Sequence, residues 1–472
     1  MKATMLMTVI TATLMCPVSS ALSQPAGQRP DALKTFTNAL ERDGFDVNTG
    51  ATAAINVVAA WCAGTTIPGF PFDHALYSNN QPYLGLRVPI SAQEPGKLTG
   101  PFKLGPEEAI VLIGLTPPPE RYFGFYPFLK TKVNPDGVRQ PLWATLGDAV
   151  NNATVKTTGP TPFNSPVALI FTPDQGTDAR VRAALRHAGY PAAIINTVVF
   201  PASMLNLGHD ENADELFIVM RNAIWLKEAD GDSYIQNPPL HVFRVTPRTP
   251  AIAKPFPAPP LRVRGTGQTE MNLMNKLGQL RQGIIAANPG LHATDIQTRP
   301  NFYEGYDYIQ RGLDPWGDSR DALFLTAGYL PEFGSTNEVT LADDEFLVVY
   351  GVNHVATAKA TYMSVNVYAS ETAKVPIGGL DDRDFPNTAT PYLPSGDPAA
   401  DVMYAYRISR NCAAGEANCK QLSAPEGCTR LTIDSSTVLG IIFRAYLEPA
   451  TGVGPAMQEI LYDRVIKFSP RP

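Results

Sequence analysis

The stretches EEAIVLIGLTPP (residues 107–118) and DEFLVVYGVNHV (residues 344–355) repeat one pattern within a chain of 472 residues. Each has an acidic pair, five apolar residues, a glycine, another apolar residue and then a turn whose sequence differs between the two. Continuous apolar runs rich in β-branched residues are typical of strands that are buried on both faces. We therefore expect each stretch to form a central strand of a sheet.

A second and longer pair of segments extends this similarity. Residues 217–248 align without a gap to residues 440–471, and both segments end in an apolar strand-like run followed by Ser/Thr-Pro-Arg. Short strands often look alike, so the order of the matches matters more than any one of them. Because both motifs recur in the same order, the sequence predicts an internal duplication.

The aligned segments also place an arginine at the same position in each copy. Arg221 matches Arg444, and each follows an apolar run that we expect to be a buried strand. A buried guanidinium needs an acceptor, and the acidic pair of the shorter motif offers Glu108 in one copy and Glu345 in the other. We therefore predict one structural ion pair that is repeated twice.

The remaining pattern indicates few helices and many strands. Apolar residues at helical spacing predict helices near residues 33–40, 177–189 and 273–284, whereas Asp-Gly-Asp at 230–232 predicts a tight turn that closes a hairpin. The fold class we expect is α+β, with two pseudo-repeated, mainly antiparallel sheet units, a few packed helices and a Pro-rich linker. After a signal peptide, we expect four segments along the chain: a helical or irregular segment (24–100), a first α+β repeat (101–248), a Pro-rich linker with a helix and an aromatic loop (249–335), and a second α+β repeat (336–472).

The first 23 residues resemble a secretory signal. Lys2 precedes an apolar run that extends to Met15, and Ala21 and Ser23 occupy the small-residue positions before a cleavage site. The run is too short to span a bilayer, and no later stretch reaches about 18 consecutive apolar residues. We expect an extracytoplasmic protein, periplasmic or fully secreted, with no transmembrane segment in the mature chain.

Four cysteines remain after the signal is removed, namely Cys62, Cys412, Cys419 and Cys428. An even number in an oxidising compartment favours two disulfides, for which three pairings are possible. Metal binding is the alternative, but the spacing lacks the close Cys-x-x-Cys pairs that are typical of zinc sites. We therefore expect disulfides, no metal and no cofactor.

The charge of the chain argues against some classes of partner. The chain has 44 acidic and 38 basic side chains, with a formal net charge of −6 and no cluster of Lys and Arg. Nucleic acid and anionic membranes attract basic surfaces, so we expect neither as a partner. The sequence leaves open a small-molecule ligand or a protein partner.

The loop that follows the second apolar run contains the first candidate for chemistry. Asn353 and His354 stand where the other copy has Thr116 and Pro117, so only one copy has a titratable group there. Histidine exchanges a proton near neutral pH, and a loop at a strand end holds it on a rigid element. We select His354, Asn353 and Lys359 as catalytic candidates and Tyr362 as a ligand contact. Ordinary turn chemistry is the alternative.

An aromatic segment, residues 301–321, is the second candidate. Rings that lie beside carboxylates and arginine can stack on a planar ligand or a sugar and bind its polar edges. A long loop that its aromatic residues pin to the body of the protein is the alternative. The ligand-binding candidates are Tyr303, Tyr306, Trp316, Asp318 and Arg320.

A third stretch, GHDENADE (residues 208–215), has enough oxygen ligands for Ca²⁺ but lacks the alternation and the glycine of an EF-hand loop. We interpret it as a solvated acidic loop. The chain has no GxSxG, SxxK, HExxH or Walker A motif, so the commonest hydrolase and nucleotide-binding signatures are missing.

Two functions follow from these patterns. The first is an exported protein that binds a small polar or aromatic ligand between two α+β repeats, with hydrolase-like or lyase-like acid/base chemistry at His354. The alternative is a non-catalytic, envelope-associated or secreted protein that acts through a protein partner.

Overall fold

The computed structural model describes residues 30–65, 67, 83–301 and 304–471. Within these residues the chain forms six α-helices and 23 strands in four largely antiparallel sheets, which confirms the predicted α+β class. The predicted signal peptide, residues 1–23, lies outside the described residues.

The helices are α1 (Pro30–Arg42), α2 (Val57–Cys62), α3 (Gln175–His187), α4 (Glu228–Gln236), α5 (Met274–Ala286) and α6 (Gly305–Arg311). The strands up to the Pro-rich segment, residues 248–260, are β1 (Phe45–Thr49), β2 (Ala51–Ile55), β3 (Tyr83–Pro89), β4 (Leu98–Thr99), β5 (Ala109–Leu115), β6 (Glu120–Val133), β7 (Arg139–Thr145), β8 (Val150–Asn151), β9 (Pro166–Thr172), β10 (Ile195–Val199), β11 (Glu215–Trp225) and β12 (Leu240–Pro247). The strands after it are β13 (Leu291–Ile296), β14 (Arg299–Asn301), β15 (Ala322–Leu330), β16 (Ser335–Thr336), β17 (Phe346–Val352), β18 (Tyr362–Ala369), β19 (Val375–Asp381), β20 (Met403–Ser409), β21 (Cys419–Gln421), β22 (Leu439–Tyr446) and β23 (Arg464–Pro470).

The strands before the Pro-rich segment form two sheets that we call the first sheet pair. Its outer sheet has the order β1-β12-β5-β9-β10, and its inner sheet has the order β2-β3-β11-β6-β7. The second sheet pair follows the same plan, with β13-β23-β17-β20-β21 outside and β14-β15-β22-β18-β19 inside. The edge strands β10 and β21 each join their outer sheet in parallel. This agreement in strand order fits the predicted pseudo-repeat, and the duplication itself stays a prediction.

The two stretches that decide the fold occupy matching positions. Residues 107–118 contain β5 and residues 344–355 contain β17, and each strand is the middle one of its outer sheet. All seven residues of β17 are buried, and six of seven in β5. Their continuous apolar sequence suits this position, because helices pack on one face of each outer sheet and an inner sheet packs on the other.

The molecule is layered, with helices outside the two outer sheets. Apolar residues of α1 and α3 pack on the first outer sheet, and those of α5 pack on the second. A separate core fills the space between the outer and inner sheets of the first pair. The largest core continues from the first inner sheet through the second inner sheet to the second outer sheet, so the two inner sheets face each other.

The strands outside the two predicted repeats belong to these same sheets. Within segment 24–100, β1 pairs with β12 and β3 pairs with β11. Within segment 249–335, β13 pairs with β23 and β15 pairs with β22. Each sheet pair is therefore assembled from distant parts of the sequence.

The predicted hairpin at Asp-Gly-Asp is wrong. Residues 230–232 lie inside α4, and the flanking strands β11 and β12 belong to different sheets. Gly231 faces the ring of Trp225, where an added Cβ atom would lie 2.3 Å from ring atoms. The glycine is needed for this close packing on the indole and not for a turn.

The four cysteines form two pairs at disulfide distance. Cys62 pairs with Cys428, whose Cα atom is 4.7 Å away, and Cys412 pairs with Cys419 at 5.9 Å. The first pair joins α2 to a loop beside the second sheet pair. Of the helices in the described part of the chain, none has the length and apolar character needed to cross a membrane.

Candidate functional site

A polar cleft of about 530 Å³ lies in the first sheet pair, at the end of β3 and beside β12. Its volume falls within the range of about 300–1,000 Å³ that is usual for small-molecule sites. The cleft is lined mainly by polar and charged residues together with a few apolar ones. They are Ile90, Ser91, Ala92, Gln93, Glu94, Thr99, Pro101, Phe102, Lys103, Glu108, His209, Glu215 and Thr246.

Arg244, in the middle of β12, bonds to three residues that line this cleft, namely Ile90, Lys103 and Glu108. Its side chain is fully buried, and its guanidinium donates to the carbonyl oxygens of Pro89 (2.8 Å), Ile90 (3.1 Å) and Lys103 (2.8 Å). It also donates through Nε and Nη2 to the carboxylate of Glu108, at 3.2 and 2.7 Å. A guanidinium has five N–H donors, and these bonds use all five of them. Arg244 therefore fixes two walls of the cleft and its buried acid together.

Glu108 lies just before β5 and is almost completely buried. Its carboxylate accepts hydrogen bonds from the Gly105 N–H (2.6 Å), from Arg244 and from the Thr246 hydroxyl. Burial raises the pKa of this carboxyl, but the hydrogen bond from His209, the Arg244 charge and the other hydrogen bonds outweigh it and hold the pKa well below its usual range. Glu108 is therefore ionised at any physiological pH.

His209 is the titratable group that opens to solvent. Its Nε2 lies 3.0 Å from Oε2 of Glu108, and 49% of its side chain is exposed. Because the ionised Glu108 can only accept, Nε2 carries the hydrogen. In the neutral imidazole Nδ1 is then the basic nitrogen, and no hydrogen bond from the described residues reaches it. A buried carboxylate that fixes the tautomer of a half-exposed imidazole is an arrangement suited to general acid/base chemistry.

The acidic loop that carries His209 is held in place by three cations. Lys103 donates to the Asp210 carbonyl, Lys132 lies 3.1 Å from Asp214, and Arg139 donates to the carbonyl oxygens of residues 211 and 213. The sequence predicts a solvated acidic loop at 208–215; of its four carboxylates, Asp210 and Glu211 are exposed, Glu215 is partly buried and Asp214 is buried. These anchors place His209 over the cleft.

The matching place in the second sheet pair has the same frame without the imidazole. Glu345 accepts from the N–H of Ala342 (2.8 Å), as Glu108 does from Gly105, and lies 2.9 Å from Lys467, which aligns with Arg244. Lys467 also donates to the Thr340 carbonyl at 2.8 Å. Among the described residues, no histidine contacts Glu345. One frame therefore occurs twice, and only the first copy has a proton-exchanging group.

The predicted pairing of Arg221 with Glu108 and of Arg444 with Glu345 is wrong. Arg221 donates to the Gly317 carbonyl at 2.8 Å, and its guanidinium lies 4.7 Å from the ring centre of Tyr126. Arg444 bonds Asn366 and Tyr368, each at 2.8 Å. Both arginines point out of the inner sheets toward the space between the sheet pairs. The two carboxylates lie beside the outer sheets, where Arg244 and Lys467 reach them.

His354 lies in a closed environment. The residue is 1% exposed, its Nδ1 is 2.9 Å from Glu270 Oε1, and its Nε2 is 3.6 Å from Asp463 Oδ2. Burial lowers the pKa of His354, but the charges of Glu270 and Asp463 outweigh this effect and raise the pKa to about 10. The imidazole is therefore a buried cation between two carboxylates, without access to a cleft among the described residues.

The other two predicted catalytic residues take part in local structure nearby. Lys359 is buried and lies 2.8 Å from Glu448 and 2.6 Å from Glu459. Asn353 accepts hydrogen bonds from the backbone N–H groups of Val355 and Ala356, as in an Asx turn. Their catalytic role stays a prediction.

The carboxylates around His354 and Lys359 form hydrogen bonds that hold residues 248–270, which we call the connecting segment because they join the two sheet pairs. Glu459 accepts from the backbone N–H groups of Thr266 (3.0 Å) and Gly267 (2.6 Å) in this connecting segment. In return, Glu270 of the connecting segment accepts from the Leu461 N–H at 2.8 Å and pairs with His354. This reciprocal pattern binds the end of the connecting segment to the second sheet pair.

The predicted ligand contacts of the aromatic segment lie against the first sheet pair. Asp318 accepts from the Thr145 N–H (2.7 Å) and the Gly305 N–H (2.9 Å), and burial raises its pKa to about 6. Arg320 pairs with Asp148 at 2.6 Å and with Glu304. Tyr306 lies on α6, where burial raises its pKa to about 12.

Three predicted ligand contacts remain, namely Trp316, Tyr362 and Tyr303. Trp316 follows Asp314, whose carboxylate accepts from the Trp316 N–H at 2.7 Å. Tyr362 lies on β18 and stacks on Tyr446, with ring centres 5.0 Å apart. Tyr303 is outside the described residues.

The sequence analysis missed the pair of Glu108 and His209. Both residues were in view, one in the repeated motif and the other in the acidic loop, but nothing in their spacing connects them. The available signal was the repeat, because Glu108 aligns with Glu345, and the loop directly before residue 217 has a histidine whereas the loop directly before the aligned residue 440 has none. The loop was interpreted by its overall composition, which its carboxylates dominate.

Comparisons with known proteins assign no family to this chain. No protein-family model matches it, and no curated protein matches it. Among solved structures, it is similar to the VPA0106 protein of Vibrio parahaemolyticus, with 12% identity, a TM-score of 0.38 and coverage of 93% of this chain and 98% of that chain. The tandem CBM22-1-CBM22-2 domain of Paenibacillus barcinonensis Xyn10C gives 9% identity, a TM-score of 0.14 and coverage of 84% and 88%. Likenesses this weak support no conclusion about fold family or function.

Proposed function

We propose that this is an exported protein that binds a small polar ligand in the cleft of the first sheet pair and exchanges a proton with it through His209. The observation that carries this proposal is the half-exposed imidazole 3.0 Å from a buried carboxylate in a cleft of about 530 Å³. Glu108 orients the imidazole and stabilises its charged form after it takes a proton.

The asymmetry between the sheet pairs also supports this location. A carboxylate paired with a cation is sufficient for structure, as Glu345 and Lys467 show in the second pair. The first pair has in addition an imidazole on that carboxylate and an open cleft in front of it. An added titratable group that has no structural counterpart is a reasonable candidate for function.

Export is part of the proposal and is supported by two observations. Residues 1–23 have the pattern of a secretory signal, and the four remaining cysteines form two pairs at disulfide distance. Disulfides persist mainly in oxidising compartments.

The test uses thermal unfolding of the purified mature protein with a panel of monosaccharides, amino acids and dicarboxylates. We expect at least one compound to raise the melting temperature of the wild type, because a ligand that binds only the folded state stabilises it. His209→Ala should lose this shift and keep its fold by circular dichroism. His187→Ala, which removes an exposed imidazole at the end of α3, is the matched control and should keep the shift. The proposal fails if no compound has an effect or if His209→Ala responds as the wild type does.

A further inference from the structure

One hydroxyl in the cleft makes no hydrogen bond to any residue that the structure describes. Ser91 lines the cleft, and no described residue accepts a hydrogen bond from its hydroxyl. The two threonine hydroxyls of the lining are both engaged, because Thr99 donates to the Pro101 carbonyl at 2.7 Å and Thr246 donates to Glu108. Of the three hydroxyls that described residues contribute to the lining, the one of Ser91 is therefore available to a ligand.

The backbone holds Ser91 at a fixed place. It follows directly after Ile90, whose carbonyl accepts from Arg244 and whose N–H donates to the Lys97 carbonyl at 2.9 Å. The Ser91 carbonyl accepts from the Glu94 N–H at 3.3 Å, which closes the turn between β3 and β4. These hydrogen bonds, on both sides of Ser91, hold its backbone beside the cleft.

The same arginine connects Ser91 to the acid/base pair. Arg244 binds the carbonyl next to Ser91 on one side and both oxygens of Glu108 on the other, and Glu108 holds His209. The Ser91 hydroxyl, the His209 imidazole and the Glu108 carboxylate thus line one cleft, and Arg244 connects the backbone beside Ser91 to Glu108. In unrelated folds, an imidazole oriented by a carboxylate activates a serine hydroxyl as the nucleophile. These groups are identified by their roles rather than by a sequence motif.

We propose that Ser91 is a nucleophile and that the cleft hydrolyses small polar carboxylic esters. This inference rests on the proposed function of the cleft and adds its reaction and substrate class. The Nδ1 atom of His209 takes the proton of the Ser91 hydroxyl while Oγ bonds to the ester carbonyl carbon. The bond from that carbon to the alkoxy oxygen then breaks, and the alcohol leaves with the proton from His209. Water repeats the two steps, releases the acid and restores the Ser91 hydroxyl.

The first test is covalent labelling with phenylmethanesulfonyl fluoride, followed by intact mass measurement and peptide mapping. The Ser91 oxygen displaces fluoride from sulfur, so the wild type should gain one phenylmethanesulfonyl group on Ser91. Ser91→Ala should gain none, and Ser233→Ala, which removes an exposed serine of α4, should be labelled as the wild type is. His209→Ala should be labelled on the order of 10²-fold more slowly, which is the usual contribution of a general base.

The second test is hydrolysis of p-nitrophenyl acetate, which reports turnover as well as labelling. The wild type should release p-nitrophenolate continuously, and both Ser91→Ala and His209→Ala should lose this activity while they keep the wild-type circular dichroism spectrum. Labelling of another residue, or Ser91 labelling that is as fast in His209→Ala as in the wild type, would overturn the inference.

The two proposals can fail separately. If a panel compound stabilises the protein in a manner that depends on His209 but Ser91 is not labelled, the esterase inference fails and the binding proposal stands. If no compound stabilises the protein and Ser91 is not labelled, both fail.

Discussion

At the scale of single residues, His209 and His354 have the same type of partner, a glutamate, but differ in their exposure to solvent. His209 and His354 each lie about 3 Å from a glutamate, but one is half-exposed over a cleft and the other is 1% exposed. A buried imidazolium between two carboxylates satisfies charges that would otherwise be costly to bury. Such a group holds a structure together, whereas proton exchange requires access to a ligand.

We predict that His354→Ala destabilises the protein by about 3–5 kcal/mol, because it leaves Glu270 and Asp463 buried without their cation. Chemical denaturation at pH 7 measures the free energy of unfolding. His292→Ala removes an exposed histidine from β13 and should change this free energy by less than about 0.5 kcal/mol. Equal effects of the two substitutions would contradict the structural role of His354.

The same variant should show a defined pH dependence. The pKa of His354 is raised from 6.5 in the unfolded chain to about 10 in the folded protein. A raised pKa of this kind contributes stability that is complete below pH 6.5 and is lost as the pH rises through 10. The difference in unfolding free energy between the wild type and His354→Ala should therefore shrink from pH 6.5 to pH 10.

At the scale of elements, α5 shows how closely a helix can approach a neighbouring loop. A Cβ atom on Gly283 would lie 1.9 Å from the carbonyl oxygen of Tyr392, so the loop packs directly on the helix backbone. Gly278, on the same helix, has no atom within 4 Å of the corresponding position. The two glycines therefore have different reasons for being in the sequence.

We predict opposite effects of alanine at these two positions. Gly278→Ala should raise the free energy of unfolding by about 0.5–1 kcal/mol, because alanine loses less backbone entropy in a helix. Gly283→Ala should lower it by about 1–3 kcal/mol, because the new methyl group forces the loop away from the helix. Thermal or chemical denaturation of both variants measures the effects, and stabilisation by both would contradict the packing of α5 on Tyr392.

The elements that the sequence predicted are those with a local signal. The helix expected over 177–189 is α3, where Asp174 caps the first turn by accepting from the Thr177 N–H at 2.6 Å. The apolar runs of β5 and β17 are central strands, as their composition indicates. The predicted turn at 230–232 was wrong because short polar runs with a glycine occur in turns and also in short surface helices such as α4.

The candidate site was harder to predict, because its members interact across long stretches of chain. Glu108 pairs with Arg244 rather than with Arg221, and the choice depends on which sheet each strand joins. Composition and periodicity show that a strand is buried but not which strand lies next to it. His209 and Ser91 lie in loops, where the sequence has no regular spacing of apolar residues from which structure could be predicted.

At the scale of the whole molecule, the two sheet pairs meet through a layer of buried polar aromatic groups. Tyr122 of the first inner sheet lies 4.9 Å, between ring centres, from Tyr446 of the second, and it donates to Asp321 at 2.7 Å. Burial raises the pKa of Asp321 to about 6. Each buried hydroxyl and carboxyl group at this interface needs a hydrogen-bond partner, and this requirement favours one fixed arrangement of the two sheet pairs.

The Cys62–Cys428 pair crosses between the two sheet pairs, and we predict that it contributes more stability than the Cys412–Cys419 pair. Their sequence separations are 366 and 7 residues. A disulfide that closes a longer loop removes more entropy from the unfolded chain. The difference in stabilisation is three-halves of RT times the natural logarithm of the ratio of the two separations, which is about 3.5 kcal/mol. Denaturation of the double variants Cys62→Ser/Cys428→Ser and Cys412→Ser/Cys419→Ser provides the comparison. A larger loss in the second variant would contradict the prediction.

Two covalent connections join the first sheet pair to the second, one through the connecting segment and the other through the Cys62–Cys428 pair. The connecting segment runs over the surface, where Ile252 is 91% exposed and Val263 is 83% exposed. Proteolysis of peptide bonds there would yield a nicked, two-chain protein whose fragments remain attached through sulfur. Such a product would keep its mass on a gel without reductant and would separate into two species once thiols are added.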